Sequence, residues 1–539
     1  MTTADIVITG ANIFDHPDAT ALAVTGDRIS ALGADAADQI GTNTALLDVS
    51  GGLVLPGFVD AHVHAPFAGR NLNCLWLNDA TSKAEYLELI AAYATAHPDL
   101  DWIVGGGWAM ECFPGGTPEA ADLDRVVGDR PVFLMNRDVH GAWVNTAALR
   151  IAGITKDTPD PVDGRYQRDP QTGAPTGTLH EGAAYAFNDT HVPRPDLDGW
   201  RAAILSAQTH LHALGITGWQ DAWVTPATLD AYRSLGADGS LTARVVGALW
   251  WDRHAGLEQL DTFITQRETG AAHNFSPTSV KIMADGVMEN YTGALLEPYC
   301  DGCGGHSIGS GLSYLDRDLL LTAVPALDAA GFQVHMHAIG DRAARDCLDA
   351  VQRAREAYGH NDLRHHIAHL QLVSPADLPR LAELDVVANL QAYWAQHEPQ
   401  MDDLTTPFLG EDRSRLQFPF GDLVRHGTRL AMGSDWAVTT ADPLTQIEVA
   451  VTRRDPANRD AEPFLPWQAI DLDTAIRAFT AGSAYVNHDH DGGRIEVGAR
   501  ADLAVLDLDI TRSAHLPADA TVVATIAAGA LVHSELGRG

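Results

Sequence analysis

Eight short apolar runs, separated by amphipathic stretches, constrain the fold of this chain more than any other feature of its sequence. They occupy residues 53–64, 215–222, 244–251, 279–286, 332–340, 365–371, 386–394 and 429–438. Helix-like segments such as GWRAAILSAQTHLHALG and DRAARDCLDAVQRAREAYG lie between most of them. Strands that alternate with helices form a parallel sheet, and eight such units can close into a barrel. We therefore predict an α/β fold centred on a (β/α)8 TIM barrel.

Three regions depart from this alternation. Residues 1–56 and 486–539 contain short runs of alternating apolar and polar residues, which are typical of small β-sheets. Because chain ends often lie close together, we predict that they form one composite β-sandwich beside a barrel domain of residues 57–485. The connection at about 66–197, after the first barrel strand, greatly exceeds the usual length of such loops and has apolar runs of its own. We predict that it is an inserted subdomain over the barrel mouth.

Charge and cysteine content limit the partners of the chain. Its 539 residues include 36 Lys and Arg against 71 Asp and Glu, a formal net charge of −35. Such a charge repels phosphate backbones and anionic lipids, so we expect no nucleic-acid partner and no membrane partner. No apolar run reaches the ~20 residues of a membrane helix, and five scattered cysteines form no disulfide framework. We expect a cytoplasmic homodimer that binds a small molecule.

Histidines and one aspartate recur where the predicted strands end. The first strand ends in His62 and His64, whose side chains share a face because residues two apart in a strand point the same way. Functional residues of such barrels lie at the carboxyl ends of the strands. A mixed histidine and carboxylate set suits Zn²⁺, and also Mn²⁺, Fe²⁺ or Ni²⁺. The other candidate ligands at the strand ends are Lys281, Asp285, His335, His337, His366, His369 and Asp435.

Several of these segments together resemble one family. LPGFVDAHVH, VKIMADG, HAIGDRA, HIAHLQLVSPAD, GSDWAV and GRIEVGARADLAVLD are similar to motifs of the metal-dependent amidohydrolase superfamily. The similarity is to its amidohydrolase-3 branch, which includes N-substituted formamide deformylases. It implies hydrolysis of a C–N bond by metal-activated water, with Asp435 as proton carrier. The metal ligands that it implies are His62, His64, Lys281, His337, His369 and Asp435. An N-formyl or N-acyl amine is the implied substrate.

Two further histidines complicate the ligand assignment. His335 shares a strand face with His337, so either could be the fifth-strand ligand, and the resemblance favours His337. His366 lies three residues before His369, so strict strand alternation would turn it outward to pack between barrel and helices. Ala368 stands where the family motif has an acidic residue, which leaves the local hydrogen bonding undefined.

Lys281 decides the expected number of metal ions. The chain has only three lysines, at 83, 156 and 281, and this one lies inside an apolar strand. A buried, unpaired ammonium is costly, so we expect Lys281 to be carboxylated by CO₂ or paired with Asp285, four residues on. A carbamate would bridge two ions, whereas an ion pair leaves a site for one.

Residues of the insertion and the strand ends complete the predicted site. His140, in DVHGAWVN, is predicted to stabilise an oxyanion or to make a structural hydrogen bond within the subdomain. Residues expected to contact substrate, or else to be ordinary core, are Trp108, Asp285, Tyr291, Trp394 and Trp436.

Other readings of the sequence remain open at this point. The CxxC of Cys300 and Cys303 lacks the second pair of a zinc ribbon and is predicted to be loop. Ser307 lies in a GxSxG, but without the strand and helix of a nucleophile elbow. The same metal site could hydrolyse cyclic amides, carbamates, ureas, esters or lactones. A catalytically inactive scaffold protein is the alternative of another class.

Overall fold

The computed structural model describes residues 3–300, 309–512 and 515–536. Its centre is a nearly closed barrel of eight parallel strands, in which every strand pairs with its neighbours in chain order. The first to eighth barrel strands are Phe58–Val63, Ile216–Val224, Arg244–Trp250, Phe275–Met283, Gln333–Ala338, His366–His369, Val387–Leu390 and Leu430–Met432. The predicted parallel barrel is confirmed, and each strand overlaps a predicted run.

Backbone hydrogen bonds beyond the eighth strand join it to the first. The amide of Asp435 donates to the carbonyl of His62 at 2.8 Å, and the amide of His64 donates to the carbonyl of Trp436 at 2.9 Å. Gly433 permits this approach, since a Cβ atom there would lie 2.4 Å from the backbone nitrogen of His62. The ring therefore closes at the residues that were predicted to bind metal.

Helices cover the outside of the barrel. The main connecting helices are Leu197–Ala213, Pro226–Asp238, Leu260–Gly270, Arg317–Ala329, Asp341–Tyr358, Leu378–Glu383, Phe420–Arg425 and Pro443–Thr452. The remaining α-helices are Ala34–Ala37, Ala65–Leu72, Lys83–Ala96, Ala120–Val127, Thr146–Ala152, Gly182–His191, Thr406–Leu409, Glu411–Ser414, Leu472–Arg477 and Ser483–Val486. Within the described ranges, no helix combines the length and apolarity needed to cross a membrane.

The predicted first strand is two strands. Gly57 separates Leu53–Pro56 from the first barrel strand, and Leu53–Pro56 pairs antiparallel with Leu503–Leu506 near the other end of the chain. One five-stranded sheet thus takes strands from both ends: Asn12–Ile13, Leu53–Pro56, Leu503–Leu506, Val522–Ala527 and Ala530–Ser534. A four-stranded sheet contains only early strands: Ile6–Thr9, Ala21–Thr25, Arg28–Leu32 and Ala45–Asp48.

The long connection after the first barrel strand contains a six-stranded sheet. Its strands are Leu75–Trp76, Ile103–Trp108, Val132–Asn136, Gly141–Val144, Gly164–Arg168 and Pro175–Glu181. Apolar side chains of this sheet form clusters of their own, whereas the barrel and the five-stranded sheet share one core. His140 lies in the connection between the strands Val132–Asn136 and Gly141–Val144, at the edge of the barrel mouth.

Candidate metal centre

A cavity of about 360 Å³ opens at the carboxyl ends of the barrel strands. Its walls come from the barrel, from the six-stranded sheet and from the loops after the seventh and eighth strands. It brings together nine of the predicted site residues: His62, His64, His140, Lys281, His337, His369, Trp394, Asp435 and Trp436.

His62, His64 and Asp435 present ligand atoms within 4.8 Å of one another. Oδ1 of Asp435 lies 3.0 Å from Nε2 of His64 and 3.3 Å from Nε2 of His62. Two ligand atoms about 2 Å from a tetrahedral zinc ion lie roughly 3.3 Å apart. Among the described residues, Nε2 of His62 and Oδ1 of Asp435 are buried without a hydrogen-bond partner. Their spacing and their unused lone pairs fit a divalent cation.

His62, His64 and Asp435 together form what we call the metal corner. The electrostatics of the metal corner favour the protonation states in which these side chains bind a cation. Burial, and then the charge of Lys281, lower the pKa of His62 to about 3. Burial raises the pKa of Asp435, but His62 and His64 more than offset this and hold that pKa well below its usual range. Neutral imidazoles and an ionised carboxylate are the forms that bind metal.

His337 enters the cavity from the fifth barrel strand with one ring nitrogen already bonded. Its Nδ1 lies 3.1 Å from Oδ1 of Asp285, which leaves Nε2 for another partner. The same carboxylate accepts hydrogen bonds from the amides of Ile339, Gly340 and Ala294 at 2.8–3.0 Å. Asp285 is fully buried and does not line the cavity. The structure thus places it behind His337, instead of in the predicted contact with substrate.

His369 ends the sixth barrel strand with a left-handed backbone, at φ 77°. Its amide donates to Oε1 of Gln391 at 2.8 Å, and its ring stacks on Trp394 with centroids 5.0 Å apart. Its Nδ1 is buried without a described hydrogen-bond partner and lies 4.0 Å from Oδ2 of Asp435. His369 therefore offers a further nitrogen lone pair near the metal corner.

The two ambiguous histidines both lie inside the barrel. Nε2 of His335 is 2.8 Å from Nδ1 of His62, so His335 stands behind that residue and not on the cavity. His366 contacts the side chains of Gln220 and Asn389, and its ring centroid is 4.0 Å from that of His335. The expected outward orientation of His366 is wrong. The left-handed φ of His369 breaks the strand alternation, which lets both residues face inward.

Lys281 is 1% exposed and lines the cavity from the fourth barrel strand. Among the described residues it has no ion pair within 4 Å with Asp285, whose oxygens accept the bonds described above. Burial lowers the pKa of Lys281 to about 7, although the charge of Asp435 opposes this change. The amine is therefore enclosed beside the metal corner.

His140 is held by a carboxylate of the six-stranded sheet. Its Nδ1 lies 2.8 Å from Oε2 of Glu181, and its ring centroid is 5.7 Å from that of His337. Glu181 is fully buried and also accepts a hydrogen bond from Thr292 at 2.7 Å. Burial lowers the pKa of His140, but the charge of Glu181 overcomes this and raises the pKa to about 9. The buried carboxylate of Glu181 therefore favours the protonated form of His140.

The predicted aromatic contacts divide into two groups. Trp394 and Trp436 line the cavity. Trp108 is 1% exposed, donates its Nε1 to the carbonyl of Leu134 and packs among other aromatic rings away from the cavity. Tyr291 does not line the cavity and packs against Phe408.

Sequence reasoning missed several residues of the cavity wall. Trp223 and Trp250 lie at the ends of the second and third barrel strands, with ring centroids 5.2 Å apart. The rule that located the histidines, at strand ends, would have found both. Sequence reasoning also missed Glu181, the last residue of GAPTGTLHE, which does not line the cavity but supplies the carboxylate behind His140. Further wall residues are Arg137, Asp138, Tyr185, Glu289 and Glu398.

The two competing motifs lie mainly outside the described residues. Cys303 and Ser307 fall within 301–308, so the structure does not test their interpretation. Cys300 is described as a free, half-buried thiol. Cys74, Cys112 and Cys347 are also free.

Comparison with known proteins gives a consistent family. Residues 45–533 match the profile of the Amidohydrolase family. The chain is 29% identical to Protein LONG AFTER FAR-RED 3 of Arabidopsis thaliana, covering 98% of this chain and 91% of that one. It is 28% identical to the N-substituted formamide deformylase of Arthrobacter pascens, covering 94% of each. The crystal structure of an uncharacterized metal-dependent hydrolase from Pyrococcus furiosus superposes with a TM-score of 0.69 and 25% identity, over 94% of this chain and 99% of that chain.

Proposed function

Since the chain belongs to the amidohydrolase family and is a hydrolase of carbon–nitrogen bonds, we propose that it cleaves the amide of an N-formyl or N-acyl amine. The observation that carries this proposal is the convergence of His62, His64 and Asp435 in one cavity with His140, which pairs with Glu181. The similarity to a formamide deformylase supports the choice of substrate class.

The proposed resident ion is Zn²⁺, held by His62, His64 and Asp435 with His337 and His369 nearby. A bound divalent cation supplies Lewis acidity, which lowers the pKa of a water ligand and polarises a carbonyl. Asp435 accepts the proton of the attacking water and returns it to the leaving nitrogen. His140, whose Nδ1 is held by Glu181, donates a hydrogen bond from its other nitrogen to the oxygen that becomes negative.

Lys281 is proposed to carry a carbamate. Its amine would attack CO₂, forming an N–C bond and releasing one proton, and the new anion would bridge two cations. Its burial beside the metal corner and the lack of an ion pair with Asp285 support this proposal. Arginine cannot form the adduct, so Lys281→Arg should lose activity and one metal equivalent. Lys83→Arg is the matched control, because Lys83 only pairs with Asp122 at the surface. Two ions are expected with the carbamate, and one without it.

The domain division, location and assembly remain proposals of the same kind. We propose that the two sheets at the chain ends form a sandwich from residues 1–56 and 486–539. Residues 57–485 form the hydrolase barrel, and about 66–197 the inserted subdomain. The free thiols support a reducing, cytoplasmic setting. The predicted homodimer is testable by light scattering during size-exclusion chromatography.

Two measurements test the proposed activity. Elemental analysis of freshly purified protein should find one or two zinc equivalents, and a panel of N-formyl and N-acetyl amines should release free amine. Chelation should abolish turnover, and zinc should restore it. If the protein instead turns over cyclic amides, carbamates, ureas, esters or lactones, the proposed metal site stands and the proposed substrate class is replaced. Protein without metal and without turnover would favour the inactive scaffold.

A further inference from the structure

His335 is not on the cavity, yet it contacts a metal-corner residue directly. None of its surface is exposed, and its Nε2 lies 2.8 Å from Nδ1 of His62. The proposed function gives this side chain no role. A buried histidine in hydrogen-bond contact with a ligand is in a position to set the orientation of that ligand.

With a cation bound at Nε2 of His62, the contact with His335 sets which nitrogen of His62 carries the proton. Nε2 of His62 faces Asp435 and has no described hydrogen-bond partner, so its lone pair is the one available to a cation. The ring proton then resides on Nδ1, which donates to Nε2 of His335. His335 then accepts through Nε2 and carries its own proton on Nδ1, which is buried without a hydrogen-bond partner among the described residues. Both rings are neutral in this arrangement.

His335 is itself held in place from the next strand. The register of the fifth and sixth barrel strands sets His335 opposite His366, and the two ring centroids are 4.0 Å apart. His366 is fixed at both nitrogens, by Oε1 of Gln220 at 2.9 Å and by Nδ2 of Asn389 at 3.1 Å. Because all these partners are uncharged amides, the support under His62 is a neutral network.

We propose that His335 is a positioning residue that holds His62 with Nε2 turned toward the metal. His335 does for His62 what the carboxylate of Asp285 does for His337, but with a neutral acceptor. This inference rests on the proposed metal centre, and it concerns the affinity of that centre instead of its substrate.

Zinc affinity measured by chelator competition tests the proposal. His335→Leu removes the acceptor while filling the space, and we expect zinc to bind about 10- to 100-fold more weakly. His335→Gln restores an acceptor oxygen and should regain most of the affinity. His212→Leu is the matched control, because His212 is equally buried and bonded at both nitrogens to Ile216 and Thr242, remote from the cavity. It should lower the melting temperature of the protein and leave zinc affinity unchanged.

Each outcome bears on the proposal. Unchanged zinc affinity in His335→Leu overturns it, as does an equal loss in His212→Leu, which would mean general loosening. If His335→Leu does not fold, ¹⁵N-histidine NMR of the zinc-loaded wild type decides. The spectrum should show His62 protonated at Nδ1 and bound through Nε2, and the reverse assignment overturns the proposal. A wild type that binds no zinc would refute the proposed function itself.

Discussion

Two groups of side chains at one cavity each combine imidazole with a carboxylate, and their electrostatics are opposite. In the metal corner, His62 and His64 share one oxygen of Asp435, and the pKa of His62 falls to about 3 because of burial and Lys281. In the His140–Glu181 pair, the imidazole has a carboxylate to itself and its pKa rises to about 9. The first group keeps lone pairs for a cation, and the second keeps a proton for an anion.

The difference comes from what surrounds each pair. The metal corner gathers several basic groups around one carboxylate, so protonating His62 would add charge to a crowded, buried region. Glu181 has His140 as its ionic partner, with Thr292 as a neutral donor. Two buried imidazole–carboxylate groups therefore acquire different chemistry because the charged groups around them differ.

The largest effect is expected from removing the negative charge of the metal corner. Asp435→Asn keeps the size of the side chain but abolishes the proton acceptor, so kcat should fall by about 10²- to 10⁴-fold. Steady-state kinetics on zinc-reconstituted protein of known metal content measure this. Asp442→Asn is the control, because Asp442 does not line the cavity and caps the helix Pro443–Thr452 through Leu444 and Thr445, where Asn is an equally good cap. A similar loss in both variants would contradict a special role for Asp435.

The next largest effect is expected from removing the carboxylate charge of Glu181, which would leave His140 unprotonated, as His62 is. Glu181→Gln removes the charge that keeps His140 protonated, so kcat/KM near neutral pH should fall by up to about 10²-fold. In the wild type, activity that needs the His140 cation should be lost as pH rises through about 9. In the variant the same loss should occur at a lower pH, because burial lowers the pKa when no carboxylate opposes it. Superimposable pH–rate profiles would contradict the role of the pair.

The free energy of unfolding should also depend on pH through the His140–Glu181 pair. The pKa of His140 is raised from 6.5 to about 9, so its stabilisation is complete below pH 6.5 and is lost toward pH 9. The pKa of Glu181 is lowered from 4.5 to about 2, because His140 outweighs the effect of burial; its stabilisation is complete above pH 4.5 and is lost toward pH 2. Glu181→Gln should therefore lower the free energy of unfolding most between pH 4.5 and 6.5, by about 1–3 kcal/mol.

Urea denaturation at fixed metal loading measures this difference across pH. The control is Asp402→Asn, which breaks an exposed His–Asp pair of the same 2.8 Å length at His397. Exposed pairs contribute about 0–1 kcal/mol, so its effect should be small at every pH. A loss of unfolding free energy in Glu181→Gln that does not vary with pH would contradict the contrast between the His140–Glu181 pair and the metal corner.

The smallest effect concerns the aromatic wall beside both groups. Trp394 stacks on His369 and lines the cavity, so Trp394→Leu should raise KM several-fold, about 1 kcal/mol of lost contact. Trp108→Phe should leave KM unchanged and lower only the melting temperature, since Trp108 packs in the core of the six-stranded sheet. A higher KM in Trp108→Phe would restore its predicted contact with substrate.

The sequence predicted the barrel because apolar runs mark its strands directly, and strand ends mark the cavity. It could not predict the direction of His366, since the left-handed backbone at His369 is set by tertiary packing. Asp285 was predicted to contact substrate because it lies near a strand end. Its oxygens are instead hydrogen-bonded to three backbone amides and to His337. The carboxylate partner of His140 was equally hidden, because 41 residues separate His140 from Glu181.

The seam between the first and eighth strands has a consequence for biosynthesis. His62 and Asp435 meet through a backbone hydrogen bond, so a growing polypeptide cannot complete the seam until most of it has left the ribosome. The strand Leu53–Pro56, one residue before the barrel, waits longer still for Leu503–Leu506. Contacts between such distant residues slow folding. The nascent chain would carry Leu53–Pro56 and the first barrel strand with one edge each unpaired for much of translation, which predicts a need for chaperone shielding.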